Sequence, residues 1–287
     1  VTGPTPDTTR IWVQSVTDLS VLPLYAQQLE EHAARCVRPS TVVDVHGVAP
    51  GTYPEGVPPV ELLRYPAAEY LLGVQLLRNA GRAEQEGYHA FAVSCFFDPV
   101  LAELRGAVDI PVVSLCESTL MMSAAAGCHL GLIGIAESNK DRLVDLVGRY
   151  GFAARVAAIV EVDPPIGEDE MHRAYGDPAL LLPRFEAAAG RCADAAADLL
   201  IPAEGVLNSL LTRGGIGELA GIPVVDAFAA LLAHAEALAW LSRNSGLTVS
   251  HRHGYARAPA EMMDAVSARA REALAESATA VRGLRTT

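Results

Sequence analysis

The sequence predicts an α/β fold of two pseudo-symmetric half-domains, each a parallel sheet flanked by helices, with the active site in the cleft between them. Three observations carry that expectation. First, apolar β-rich runs alternate with Ala/Leu-rich stretches of helical length, the pattern of parallel sheets covered on both faces. Second, a strand–turn–helix–loop–strand unit occurs twice. Ala92-Val93-Ser94-Cys95 leads to Asp109-Ile110-Pro111-Val112-Val113, and Leu200-Ile201-Pro202-Ala203 leads to Gly221-Ile222-Pro223-Val224-Val225. Third, 287 residues with 51% apolar content can bury a core in each of two units. The expected division is 1–110 plus 223–287 for the first half-domain and 111–222 for the second.

The elements follow in order. Strands are expected over 11–16, 41–45, 90–94, 111–115, 129–135, 156–162, 198–201 and from 223 to 226. Helices are expected over 24–36, 67–86, 99–105, from 119, over 139–150, 182–197 and 207–211, with a last one after 226. In sheets of this kind, sites form at the C-terminal strand ends beside switch points in strand order.

A formal net charge of −12 disfavours nucleic acid and anionic membranes as partners. The longest apolar stretch, 227–241, is broken by His234 and Glu236, so no membrane span is expected. The start Val-Thr-Gly-Pro-Thr-Pro has no basic n-region of a secretory signal. Five cysteines, Cys36, Cys95, Cys116, Cys128 and Cys192, are odd in number and fit no zinc spacing. They read as reduced thiols of a cytoplasmic protein.

Cys95 is the sharpest candidate for chemistry. It ends an apolar strand and precedes Phe96-Phe97-Asp98-Pro99. Asp98 suits an N-cap and Pro99 a first helical residue, which would set the thiol before a helix N-terminus that favours thiolate. A small buried apolar cysteine is the plainer reading.

Ser-Cys-Phe-Phe-Asp-Pro-Val-Leu (94–101) resembles the first cysteine motif of hydantoin racemases. Ile-Pro-Val-Val-Ser-Leu-Cys-Glu-Ser (110–118), Gly-Ile-Pro-Val-Val-Asp (221–226) and Gly-Leu-Thr-Val-Ser-His-Arg-His-Gly-Tyr-Ala-Arg-Ala-Pro (246–259) are similar to later family segments, in the same order. The chain thus resembles the aspartate/glutamate/hydantoin racemase superfamily. That resemblance implies two thiols on opposite faces of a substrate carbon, one removing a proton and the other returning one. The sequence departs from the pattern at Asp-Leu-Leu-Ile-Pro-Ala-Glu-Gly (198–205), where the second cysteine is expected. Ala203 stands there, followed by Glu204.

Three readings follow. Glu204 replaces the second thiol, since desolvation can raise a carboxyl into the range of a general acid–base group. Alternatively, Cys95 works alone, either protonating one face, as a single cysteine does from the other half in the related arylmalonate decarboxylases, or acting as a nucleophile, as a thiolate does in the related maleate isomerases. The third is a non-catalytic small-molecule binding protein on the same fold. Glu204 could also be an ordinary carboxylate at a helix start.

The resemblance places groups that hold a substrate carboxylate after the first strand, at Gln14, Ser15 and Thr17. By position at strand ends, further substrate-binding candidates are His46 after the second strand, for which a structural role is the plainer reading, Phe96 and Gly205 beside the two central residues, and Glu117, Ser118 and Thr119 after the fourth strand. Helix capping is the alternative for several of them. Cys116 is a further thiol near this group. His251-Arg252-His253 lacks the additional ligands of a metal site. Gly214-Gly215-Ile216-Gly217 lacks the Lys-Ser/Thr of a phosphate loop.

The expected protein is therefore a cofactor-independent isomerase without a metal, acting beside a carboxylate or carbonyl. Its partner would be a small carboxylate, amide or hydantoin-like substrate, and a homo-oligomer stays open. A decarboxylase or lyase is the alternative activity.

Overall fold

The first sheet is built on β1 (Thr9–Ser15), whose Ile11-Trp12-Val13 centre and flanking Gln14 and Ser15 are buried on both faces, as a central parallel strand requires. In the computed structural model, residues 8–54, 57, 59–135, 139–270 and 272 are described. β1 pairs in parallel with β2 (Thr41–His46) on one side and β3 (Ala90–Ser94) on the other, and β3 pairs with β4 (Val112–Ser114). The order is β2-β1-β3-β4.

The second sheet repeats the plan. β5 (Leu130–Gly134) lies between β6 (Val156–Glu161) and β7 (Leu199–Pro202), all parallel. β8 (Glu218–Leu219) and β9 (Ile222–Pro223) form a small antiparallel pair. Beyond it Val224 makes one parallel bridge to Leu200, and the Val225 N–H donates to the Leu200 carbonyl at 2.8 Å. Counted from its own first strand, each sheet therefore runs second, first, third, with a fourth strand or bridge outside the third.

Helices cover the sheets: α1 (Pro23–Cys36), α2 (Pro59–Leu62), α3 (Pro66–Gln85), α4 (Leu101–Ala107), α5 (Leu115–Ser123), α6 (Lys140–Arg149), α7 (Glu168–Gly176), α8 (Leu182–Asp194), α9 (Gly205–Arg213) and α10 (Ala227–Ser245). Asp226 caps α10 by accepting from the Ala229 N–H at 3.0 Å, and Gly246 closes it at φ 71°. α10 returns to the first sheet, against β3 and α5. Among the described residues no helix is long and apolar enough to cross a membrane.

β3 and β4, on either side of 110/111, pair in one sheet, and Val224 bridges to the second. Some local expectations need correction. The helix expected over 99–105 starts at Leu101, because Asp98 and Val100 take left-handed conformations (φ 47° and 48°). The helix expected from Thr119 already starts at Leu115, directly on β4. The strand expected over 223–226 is reduced to the β9 pair and the Val224 bridge.

Candidate active site

The carboxyl ends of β3 and β7 open on one cavity of about 100 Å³. Cys95 directly follows β3; after β7 the corresponding place is held by Ala203, with Glu204 next, so the two side chains come from matching strand ends one residue out of step. Both line the cavity, with Thr17, Phe96 and Gly205. Much of the remaining wall is apolar: Val16, Leu22, Leu63, Phe97, Ile135 and Val206.

Cys95 is 6% exposed. Burial pushes its thiol well above the usual range; a hydrogen bond from the Phe97 backbone opposes this, and the charges of Glu69, Glu204 and Asp98 add to the rise. The expected thiolate at a helix N-terminus is thus corrected to a neutral buried thiol. The turn from Cys95 to Val100 intervenes before α4, and Asp98 does not cap that helix. Its carboxylate instead accepts from the Ser114 hydroxyl (2.5 Å), the Cys116 and Glu117 N–H groups (both 3.1 Å) and the Tyr150 hydroxyl (2.6 Å). It therefore caps α5 and ties the turn after Cys95 to the end of α6. Burial raises Asp98 to about 6 despite these four donors.

Glu204 sits at the N-cap position of α9, yet its side chain makes no capping bond. Its Oε1 accepts from Asn139 Nδ2 at 2.9 Å. Burial pushes its carboxyl up to about 8, while the Asn139 hydrogen bond and the Arg142 charge hold it down. Arg142 is itself engaged, donating to both Glu69 carboxylate oxygens (2.7 and 2.6 Å) and to the Leu63 carbonyl (2.7 Å), with its guanidinium 4.1 Å from the Phe97 ring centroid. Gly205 and Val206, the first residues of α9, also line the cavity. A helix start of this kind offers backbone donors and a positive dipole end to a developing oxyanion.

Six expected contact residues lie outside the cavity lining, each with structural work. Gln14 Nε2 donates to the Ser15 and Gly47 carbonyls (2.8 and 3.0 Å), and its Oε1 accepts from Trp12 Nε1 and Asn79 Nδ2 (3.1 and 2.9 Å). Ser15 Oγ accepts from the Thr17 N–H at 3.1 Å. His46 stacks on Trp12 with centroids 3.5 Å apart. Glu117 is held by the Arg105 guanidinium. The Ser118 hydroxyl pairs with His234 Nδ1 at 2.9 Å, and Thr119 Oγ1 donates to the Leu115 carbonyl at 2.6 Å. Cys116 is fully buried away from the cavity, and burial pushes its thiol up. His251 Nε2 lies 2.7 Å from Asp109, at the surface.

Sequence reasoning missed Tyr25, Arg64, Asn139 and Tyr175, which line the cavity. A signal existed for one of them: Asn139 comes after β5, the first strand of its sheet, as Thr17 comes after β1. Tyr25 is buried near both central residues, and burial with the Cys95 and Glu204 charges raises its hydroxyl. It lies on α1, where no motif flags it.

The family model described as Asp/Glu/Hydantoin racemase matches residues 23–237. A hydantoin racemase from Pseudomonas sp. (strain NS671) is 27% identical over 194 residues, 64% of this chain and 72% of that protein. One from Rhizobium meliloti is 27% identical over 165 residues, 57% of this chain and 65% of that protein, so the matched part is just under two thirds of the latter. The solved allantoin racemase from Klebsiella pneumoniae superposes with a TM-score of 0.67 over 88% of this chain and 94% of that one. At 17% identity that likeness is one of fold.

Proposed function

Because the chain belongs to the Asp/Glu/hydantoin racemase family, we propose that it is a cofactor-independent racemase or isomerase acting at a carbon beside a carboxylate or carbonyl, with Cys95 and Glu204 working from opposite faces of that carbon. The observation that carries the reading is that both buried acid–base groups line one cavity from corresponding strand ends. Each sheet with its helices serves as one half-domain, α10 returning to the first. The substrate class is a small hydantoin-like amide or carboxylate, in line with the names of the relatives.

The chemistry starts from a neutral thiol and a carboxyl group near 8. In one direction the Glu204 carboxylate removes the α-proton, and the C–H electron pair passes into the adjacent carbonyl as an enolate. The start of α9 stabilises the oxyanion. The Cys95 thiol then gives its proton to the opposite face, leaving a thiolate and a protonated Glu204. The reverse direction starts from that second pair. Raised Cys95 makes the thiolate the scarcer base and the stronger one. The test is turnover of a panel of hydantoins, amino acids and malonates in deuterated solvent. Inversion with deuterium at the α-carbon supports the reading, and absence of exchange across the panel contradicts it.

One observation favours a second reading. A neutral thiol beside apolar walls suits one-sided protonation of a carbanion formed by decarboxylation, and a carboxylate against those walls loses solvation. Carbon dioxide release from an aryl-substituted malonate, abolished by Cys95→Ser but not by Glu204→Gln, would support it over racemisation.

A further inference from the structure

We propose that His32, Cys36 and Asp226 form a binding site for a thiophilic divalent cation of the zinc type, outside the cavity of Cys95 and Glu204. His32 and Cys36 are one turn apart on α1, at the spacing that places side chains on one helix face. Asp226 comes from the crossing between the Val224 bridge and α10, far away in sequence. One ligand atom from each residue lies within 4.8 Å of the other two. Imidazole, thiolate and carboxylate together are zinc ligands, whereas magnesium and calcium prefer all-oxygen sets.

The details fit a pre-oriented site. Asp226 Oδ1 is already held by the Ala229 N–H and by Asn208 Nδ2, at 3.0 and 3.2 Å. Its Oδ2 is left facing His32 Nε2 at 2.6 Å. Asn208 is fixed in turn, its Oδ1 accepting from the Ala227 N–H at 2.8 Å. Such outer hydrogen bonds are what orient metal-binding carboxylates. Ligand atoms at about 2.0–2.3 Å from a tetrahedral zinc lie roughly 3–4 Å from one another. The His32–Asp226 contact would need to open by only about an ångström for the cation to replace the shared proton. A separate cavity of about 280 Å³, lined by all three residues with Arg35, Thr212 and Gly215, leaves room for a water or small anion as fourth ligand. A cation there would pin α1 to the point where the chain returns from the second sheet to the first. Tyr25 is on the same helix, about 10 Å along its axis from His32.

The test is a cobalt(II) titration of the full chain, reduced and stripped with chelator. The expected result is one equivalent bound with tetrahedral d–d absorption and a thiolate-to-cobalt charge-transfer band, displaced by equimolar zinc. The band should be lost in Cys36→Ser, weakened at least tenfold in affinity in Asp226→Asn, and kept in Cys95→Ser. Zinc should also raise the melting temperature of the wild type and not of Cys36→Ser. Should Cys36→Ser fail to fold, His32→Gln takes its place, with loss of the tetrahedral bands expected. Failure of the wild type to bind cobalt, or a charge-transfer band that survives Cys36→Ser, would overturn the proposal and leave His32–Asp226 as an ion pair.

Discussion

Cys95 and Glu204 show how burial, rather than local sequence, sets the state of a reactive group. An apolar strand end and an Asp-Pro pair suggest an activated thiolate at Cys95; the enclosed cavity leaves a neutral thiol instead. Iodoacetamide at pH 7 should therefore alkylate Cys95 more slowly than the exposed Cys128, as peptide mapping of the labelled protein will show. Cys95→Ser should keep the fold and lower turnover by at least about a hundredfold, the scale of a lost general acid–base group. Glu204 carries a stability signature. Its carboxyl is raised from 4.5 to about 8 in the folded chain, so the protonated form favours folding. That contribution is complete below 4.5 and is lost as the pH rises through about 8. Glu204→Gln, which can still accept from Asn139, should raise the melting temperature at pH 9 and much less at pH 5. The position of Cys95 was legible in residues 94–101, and Glu204 stood out as a departure from a motif. Their protonation states were not legible, because enclosure comes from Leu22, Leu63 and Ile135 on other elements.

At the scale of elements, parallel strands announce themselves and turns do not. β3 was legible to the residue because its apolar run closes on Ser94, a few residues before the Asp98-Pro99 pair. The next segment was not, because Asp-Pro is a common helix start and nothing local shows that Ser114, Cys116, Glu117 and Tyr150 converge on Asp98. That carboxylate links the turn after Cys95 to α5 and to the end of α6. Tyr150→Phe removes one donor to a buried charge without changing ring shape. It should cost about 1.5–3 kcal/mol in urea unfolding at pH 7, the range for a hydrogen bond to a charged group. Gly73 matters in the same region, since a Cβ there would come within 2.5 Å of Val100 Cγ1. Gly73→Ala should destabilise by about 1–3 kcal/mol through overpacking beside that left-handed turn.

Across the whole molecule, the duplicated plan brings two titratable side chains, Cys95 and Glu204, to one cavity. The repeat of 92–113 and 200–225 pointed to two similar units, and the two sheets share one strand order. Repeats reveal strand succession but not the cross-links between sheets, such as Arg142 on α6 with Glu69 on α3. Arg142→Met removes a positive charge that holds Glu204 down. In the direction where Glu204 is the base, kcat/KM should rise with pH through about 8 in the wild type. That rise should move to higher pH in Arg142→Met.

The most direct test of the two-faced site is deuterium exchange and inversion measured separately from each enantiomer of a turned-over substrate, for the wild type, Cys95→Ser and Glu204→Gln. The wild type should exchange with inversion from both. Each variant should abolish inversion, while Glu204→Gln keeps exchange on the one enantiomer whose α-proton faces Cys95. Inversion at near wild-type rate in either folded variant would contradict the account.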